Sequence, residues 1–259
     1  MSDNIFILDM PNFFPNYEKG IYYSYEGKGG ENLKELLTKT SKGYCMYCYS
    51  RILVDRKNYG ELEHSVEKFN SNKLINCISN IAIACLKCNR SFKKKGEKKR
   101  RISKKERYDF EQSIKCDSKC IQACEKYLEL RDKIQQNDEG KIILQPYGTK
   151  NVKTDRQYLI QYDILNQKFI PSLDFDYDKY EKEFIEQHIN RFNLNDSVYR
   201  TRELFYFCQD VLEYNAIPKG GKYSNLIVDL FIDKLHKFSL EESIKICTIV
   251  YNQIIVRNK

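Results

Sequence analysis

The chain is 259 residues long, with 41% hydrophobic and 31% charged residues, which is enough apolar material for a buried core beneath a polar surface. No apolar run approaches the ~18 residues that a membrane-spanning helix needs. The start, MSDNIFILDM, lacks the basic region and small-residue cleavage site of a secretory signal. These features argue against a membrane-embedded or secreted protein, and we expect a cytoplasmic one.

The net charge of +8 is concentrated in one tract. Residues 93–107, KKKGEKKRRISKKER, contain ten Lys or Arg and two Glu, so they alone carry +8 and the remaining residues are neutral in sum. Such a tract pairs with phosphates and releases their counterions, the main sequence-independent contribution to nucleic-acid affinity. A solvated basic loop is the alternative interpretation.

Hydrophobic patterning predicts a mixture of helices and strands. Leu33, Leu36 and Leu37 have helical spacing, and the YCMYC stretch that follows predicts a tight turn. Further elements are predicted in chain order: strands over 59–65 and 80–85, a helix from about residue 86, a helical stretch over 103–136, short strands over 140–148 and 157–171, and mostly helix after residue 171.

Four of the ten cysteines form two pairs with the spacing of metal ligands. Cys45-x-x-Cys48 and Cys85-x-x-Cys88 would supply four thiolates for a closed, tetrahedral zinc site. Four thiolates leave no open coordination position, so this zinc would stabilise the fold and take no part in a reaction. Cysteines that merely fill the core are the alternative.

The residues between and after these pairs carry a resemblance. Glu63 and His64 stand together, Asn80 follows sixteen residues after His64, and Asn89 comes directly after the second cysteine pair. The segments CMYCYSRI, ELEHSVEK and NIAIACLKCNRSFKKKG resemble, in order and spacing, the zinc-knuckle form of the HNH, or ββα-metal, endonucleases. The resemblance covers about residues 43–96.

The resemblance implies roles for four catalytic residues. His64 would be the general base that activates water, since neutral imidazole can accept a proton at cellular pH. Glu63 and the side-chain oxygen of Asn89 would hold Mg²⁺ or Mn²⁺, which prefers hard oxygen ligands, and Asn80 would orient His64. Taken singly, a Glu-His pair is usually an ordinary exposed pair, and an Asn after CxxC is often only a helix cap.

A nucleic-acid surface is predicted beside this site, because the basic tract begins four residues after Asn89. We expect backbone phosphate contacts rather than base stacking, and DNA rather than RNA as the partner. The residues predicted to bind nucleic acid are Lys68, Arg90, Lys93, Lys94, Lys95, Lys98, Lys99, Arg100 and Arg101.

The C-terminal half carries a second resemblance. The stretch EKEFIEQHINRFNLNDSVYRTRELF is similar to the region that follows the nuclease core in PtuB-type HNH proteins of the Septu and retron antiphage defence systems. This implies an effector nuclease working with a separate ABC-type, PtuA-like ATPase, and a homodimer is left open. A zinc-stabilised nucleic-acid-binding or interaction subunit without catalysis is the alternative.

The fold class that follows is α+β: a ββα-metal core with structural zinc, followed by a mostly helical domain. The predicted divisions are an N-terminal arm (1–32), the HNH domain with the basic tract (33–110), and a helical partner or oligomerisation domain (111–259). Cys116, Cys120 and Cys124 recur every four residues, so they share one face of a helix. We interpret them as buried core cysteines rather than a second metal site.

Overall fold

The computed structural model describes residues 4–113, 123–134, 141–195, 198–218 and 223–257. These residues form a mixed helical and sheet structure, which confirms the α+β class. The strands are β1 (Ile7–Asp9), β2 (Leu53–Val54), β3 (Lys57–Asn58), β4 (Glu61–His64), β5 (Ile81–Ala84), β6 (Ile160–Asp163) and β7 (Lys168–Pro171). The helices are α1 (Gly27–Thr40), α2 (Lys104–Ser113), α3 (Glu125–Ile134), α4 (Lys179–Arg191), α5 (Val198–Tyr214), α6 (Leu226–Leu235) and α7 (Leu240–Arg257).

The strands form three small antiparallel sheets within the described residues. One has the order β1-β6-β7, and the other two are the pairs β2-β3 and β4-β5. In the β4-β5 pair, Glu63 lies opposite Ala82 and His64 lies opposite Ile81. The last two residues of β4 are therefore fixed in register against the start of β5.

The β4-β5 pair is covered on one side by α1, which packs against both strands. Leu33 and Leu37 of this helix are fully buried, as their spacing predicts. All four residues of β5 are buried as well, and this explains why the segment is almost continuously apolar rather than strictly alternating.

A short helical segment follows β5 directly. The helix predicted near Leu86 begins there and includes a single π-helical turn, Cys88–Phe92. Gly96 then adopts a positive φ of 75° before the 3₁₀ turn Glu97–Lys99, so the basic tract turns away instead of extending the helix. The local order is strand, strand and helical turn.

The three predicted divisions of the chain share one hydrophobic core. β1, from the predicted arm, pairs with β6 from the predicted C-terminal domain. The hydroxyl of Tyr44 donates to Asp229 of α6, and Arg51 forms an ion pair with the same carboxylate at 3.5 Å. The boundaries near residues 32 and 110 stay a prediction, but the three segments that they separate are packed against one another.

The strand expected over residues 140–148 is not formed in its described part, residues 141–148, and there the prediction was wrong. Its backbone groups bind side chains from elsewhere instead of a neighbouring strand. The N–H of Ile143 donates to Nδ1 of His188 at 2.9 Å, and the N–H of Leu144 donates to the hydroxyl of Thr149 at 2.9 Å. A short apolar run does not reveal which partners its backbone will take.

No helix of the described ranges is both long enough and apolar enough to cross a lipid bilayer.

His188 is expected to make the stability of the protein depend on pH. Complete burial and the charge of Arg191 lower its pKa from 6.5 to about 3, because the site cannot easily accept a charged imidazole. The unfolded chain therefore takes up a proton at a higher pH than the folded one, and stability is lost as pH falls from about 6.5 towards 3. At pH 5 this one residue should cost about 2 kcal/mol.

Urea unfolding of the wild type and His188→Gln at pH 7 and pH 5 measures this contribution. Glutamine retains a donor and an acceptor but does not titrate, so the variant should lose about 2 kcal/mol less than the wild type between the two pH values. Equal losses in both proteins would show that His188 does not carry the effect.

Candidate functional site

The four cysteines of the two CxxC pairs converge on one point. Their Sγ atoms all lie within 4.8 Å of one another, and they are the one such cluster of possible metal ligands within the described residues. The Sγ atoms of Cys48 and Cys85 are 3.7 Å apart. Tetrahedral zinc with Zn–S bonds of about 2.3 Å would place its sulfurs about 3.8 Å apart. The four thiols can thus hold a metal ion such as zinc.

The cluster links the two ends of the predicted nuclease core. Cys45 and Cys48 lie in the turn after α1, whereas Cys85 and Cys88 join β5 to the helical segment. The N–H of Met46 in the first turn also donates to the carbonyl of Ile83 at 3.1 Å. A metal here would fix β5 and the following helical turn to the rest of the core.

His64 ends β4 and is buried. Its Nε2 lies 3.1 Å from the carbonyl oxygen of Ile75, and since a carbonyl can only accept, Nε2 carries the proton. The ring packs on Tyr25, with centroids 4.1 Å apart. This tautomer leaves Nδ1 as the nitrogen able to accept a proton.

The surroundings of His64 keep it uncharged. Burial, aided by the positive charges of Lys68 and Lys93, lowers its pKa from 6.5 to about 4, against the opposing effect of the Ile75 carbonyl. At neutral pH the imidazole is consequently the neutral form that general-base chemistry requires.

Asn80 fixes the loop that joins β4 and β5. Its side-chain oxygen accepts from the N–H of Val66 at 2.7 Å, and its amide nitrogen donates to the carbonyls of Val66 and Leu74 at 3.0 and 3.1 Å. Asn80 is fully buried and makes no direct hydrogen bond to His64 in the described part of the chain. It therefore holds the loop that carries Ile75, the residue that orients His64.

Glu63 is buried beside a lysine. Lys93 places its ammonium 3.1 Å from Oε2 of Glu63 and donates to the carbonyl of His64 at 2.6 Å. The hydroxyl of Tyr47 donates to the other carboxylate oxygen. Only 2% of the Glu63 side chain is exposed, whereas Mg²⁺ normally keeps several water ligands.

Asn89 has a different partner. Its amide nitrogen donates to Oε2 of Glu61 at 3.0 Å, and Arg90 binds the same carboxylate. The structure thus pairs Asn89 with Glu61, and Glu63 with Lys93. The proposed Mg²⁺ ligands, Glu63 and Asn89, do not form an open site in this arrangement, which does not fit a hydrated divalent ion at Glu63.

Two residues predicted to contact nucleic acid are turned inward, which argues against phosphate contacts at those two positions. Lys93 is 5% exposed and Arg100 is 2% exposed. Arg100 donates to Oε1 of Glu67 at 2.7 Å, and Lys93 lies 3.6 Å from the same atom. Buried cations require carboxylate partners, and Glu63 and Glu67 supply them. The charges of Lys93 and Arg100 are therefore neutralised within the fold and do not face solvent, where a phosphate could bind.

The other seven residues of the predicted nucleic-acid surface are exposed: Lys68, Arg90, Lys94, Lys95, Lys98, Lys99 and Arg101. The guanidinium of Arg101 lies 5.3 Å from the ring centroid of Phe69, which is itself 44% exposed. An aromatic side chain therefore lies beside the basic tract, although the tract's own sequence contains none at that position.

Several residues of the site could not be found by motif spacing. Tyr25 packs on His64 from a segment without clear periodicity, and Ile75 acts through its backbone carbonyl, which any residue could supply. Glu61 stands two residues before Glu63 in β4. Because residues i and i+2 of a strand lie on the same face, this spacing could have indicated that Glu61 lies on the face of Glu63.

The cysteine series downstream of the basic tract lies largely outside the described residues, which include Cys124 but neither Cys116 nor Cys120. Cys124 is half-buried and directly precedes α3.

A scan against protein-family models returned no match, and comparisons with curated proteins and with solved structures likewise returned none.

Proposed function

We propose that this protein is a metal-dependent endonuclease that hydrolyses phosphodiester bonds of nucleic acid. The observation that carries the proposal is the placement of a neutral, carbonyl-oriented His64 at the end of β4, beside β5, a helical turn and a four-cysteine cluster. This order of strand, strand and helical turn agrees with the sequence resemblance to HNH endonucleases.

His64 is the general base of the proposed reaction. Nδ1 accepts a proton from the attacking water, while the Ile75 carbonyl fixes the ring through Nε2. Asn80 supports this geometry indirectly, because it anchors the loop on which Ile75 lies. We therefore describe Asn80 as a positioning residue.

Mg²⁺ or Mn²⁺ would supply charge stabilisation for the phosphate and the leaving oxygen. Because Lys93 forms an ion pair with the Glu63 carboxylate, the proposal includes no metal ligands and no reaction step at the metal. The zinc of the four-cysteine cluster is a structural ion in this proposal.

A cleavage assay tests the proposal. Zinc-loaded protein in buffer without other metals would be given single- and double-stranded DNA and RNA, with and without Mg²⁺ or Mn²⁺, alone and with an ABC-type ATPase partner. Internal cleavage that depends on the added metal is expected. Binding without cleavage of any substrate would contradict the enzyme and favour the alternative, a zinc-stabilised binding subunit, for which the closed Glu63–Lys93 pair is the supporting observation.

The exposed part of the basic tract is proposed to contact phosphates. Replacing Lys94, Lys95, Lys98, Lys99 and Arg101 with Gln should weaken nucleic-acid binding and flatten its salt dependence. The slope of log Kd against log salt should fall by about 0.9 for each duplex phosphate that the variant no longer neutralises. Fluorescence anisotropy over a series of salt concentrations measures both effects.

Exposed lysines elsewhere provide the control for this experiment. Lys179, Lys182 and Lys245 lie on α4 and α7, and changing all three to Gln removes surface charge without touching the tract. The tract variant removes five charges and this control three, so an equal loss of binding free energy per charge removed would show that net charge, rather than the tract, governs binding.

We further propose that the protein acts as an antiphage effector together with a PtuA-like ATPase. The C-terminal sequence resemblance supports this part of the proposal. Co-purification of the two proteins, and cleavage that requires both, would be the expected results.

A further inference from the structure

Two cysteines outside the four-cysteine cluster meet where the β4-β5 loop contacts the start of α3. Cys77 is buried and directly precedes the 3₁₀ turn Ile78–Asn80, and its thiol donates a hydrogen bond to Cys124. The N–H of Cys124 in turn donates to the hydroxyl of Ser79 at 2.9 Å. No disulfide joins the two cysteines, and the thiol contact and the Cys124–Ser79 hydrogen bond hold the two segments together at this point.

The surroundings of Cys124 favour a thiolate. The Cys77 thiol and the N–H groups of Tyr127 and Lys126, in the first turn of α3, lower the pKa of Cys124 to about 6, although partial burial and the charge of Glu125 act in the opposite direction. Thiolates rather than thiols react with peroxides. Cys124 is half-buried, whereas Cys77 behind it is 3% exposed.

We propose that Cys77 and Cys124 form a reversible, peroxide-sensitive dithiol in which Cys124 is the reactive thiol and Cys77 the resolving one. This pair is separate from the zinc ligands, and its chemistry does not depend on the proposed nuclease activity. The site differs from an isolated cysteine because the Cys77 thiol is already hydrogen-bonded to Cys124.

The reaction balances with one hydroperoxide. The Cys124 thiolate attacks the peroxide, so an S–O bond forms, the O–O bond breaks, and the departing oxyanion takes a proton from water. The sulfur of Cys77 then attacks that of Cys124: the S–S bond forms, the S–O bond breaks, and the hydroxide leaves as water with the Cys77 proton. The two thiols together lose two electrons, and one peroxide accepts them. A small dithiol reduces the disulfide again.

The disulfide would act on the loop beneath His64. The N–H of Asn80 donates to the carbonyl of Cys77 at 2.8 Å, and Ile75, which orients His64, is two residues before Cys77. Oxidation would tie this loop covalently to α3.

Peptide mapping of the zinc-loaded, full-length protein tests the proposal. The reduced protein would be exposed to hydrogen peroxide, alkylated and digested with trypsin. Cys77 then lies with Cys85 in peptide 74–87, and Cys124 lies with Cys120 in peptide 120–126, so the Cys120→Ser variant is used beside the wild type. A dithiothreitol-reversible link between these two peptides is expected in both proteins, with zinc content unchanged.

Single substitutions assign the two roles. Cys124→Ser should abolish the link and the reaction, whereas Cys77→Ser should abolish the link but leave a Cys124 sulfenic acid that dimedone labels. Loss of the link in Cys120→Ser, a link to Cys85 with release of zinc, or full alkylation of Cys77 and Cys124 after excess peroxide would each overturn the proposal.

Discussion

Replacing Cys88 with serine is expected to abolish zinc binding and the folded state together. Cys88 supplies one of four converging thiols, and a serine hydroxyl is a poor substitute for a thiolate ligand. Structural zinc contributes about 10–16 kcal/mol of apparent binding free energy in small domains, which is as large as the whole stability of a typical protein, roughly 5–15 kcal/mol. The variant should carry far less than one zinc per chain and lose its cooperative melting transition.

The matched control is Cys247→Ser. Cys247 is also a fully buried, reduced cysteine, but it lies in α7 and outside the cluster. The variant should retain its zinc and lose only about 1–3 kcal/mol, the usual cost of burying a hydroxyl in the protein interior. Metal analysis by mass spectrometry, together with circular dichroism, separates the two cases. A Cys88→Ser protein with a full zinc content and native melting would refute the structural role of the cluster.

Replacing Lys93 with methionine is expected to destabilise the fold by about 3–5 kcal/mol. The ammonium of Lys93 is the cation that Glu63 and Glu67 share, at 3.1 and 3.6 Å. Methionine has a similar length but no charge, so the variant leaves a buried carboxylate without compensation. Chemical denaturation at pH 7 measures the change in the free energy of unfolding.

The adjacent Lys94 is the control, because it is exposed and its replacement with methionine should change stability by no more than about 0.5 kcal/mol. The double variant Lys93→Met/Glu63→Gln removes both charges and should recover part of the stability, which a double-mutant cycle detects. Equal, small effects at Lys93 and Lys94 would show that the buried ion pair does not form in solution.

Some parts of the structure were predictable from sequence because a local spacing determines them. Two CxxC turns place thiols as metal chemistry requires, and the four Sγ atoms do converge. Leu33 and Leu37 are both buried, as an amphipathic helix demands. The two strands on either side of residues 65–80 were also predicted, since loose alternation marked β4 and the spacing of Ile81 and Ile83 marked β5.

The inward orientation of Lys93 and Arg100 was not predictable. Within the tract they look like their neighbours, and their carboxylate partners are Glu63 and Glu67, about thirty residues upstream. Burial of a charge is decided by which partner the tertiary fold brings near it, and neither tract composition nor residue spacing contains that information. The same reason explains why Asn89 binds Glu61, although the resemblance implied that Asn89 and Glu63 would hold one metal ion together.

The single-turnover rate of metal-dependent cleavage by His64→Ala, compared with the wild type, tests the central claim most directly. Both proteins would be matched for zinc content, melting temperature and affinity for the nucleic acid. Loss of the general base should slow cleavage by about 10³-fold while leaving binding unchanged. Equal cleavage rates in the two matched proteins would contradict a mechanism centred on His64.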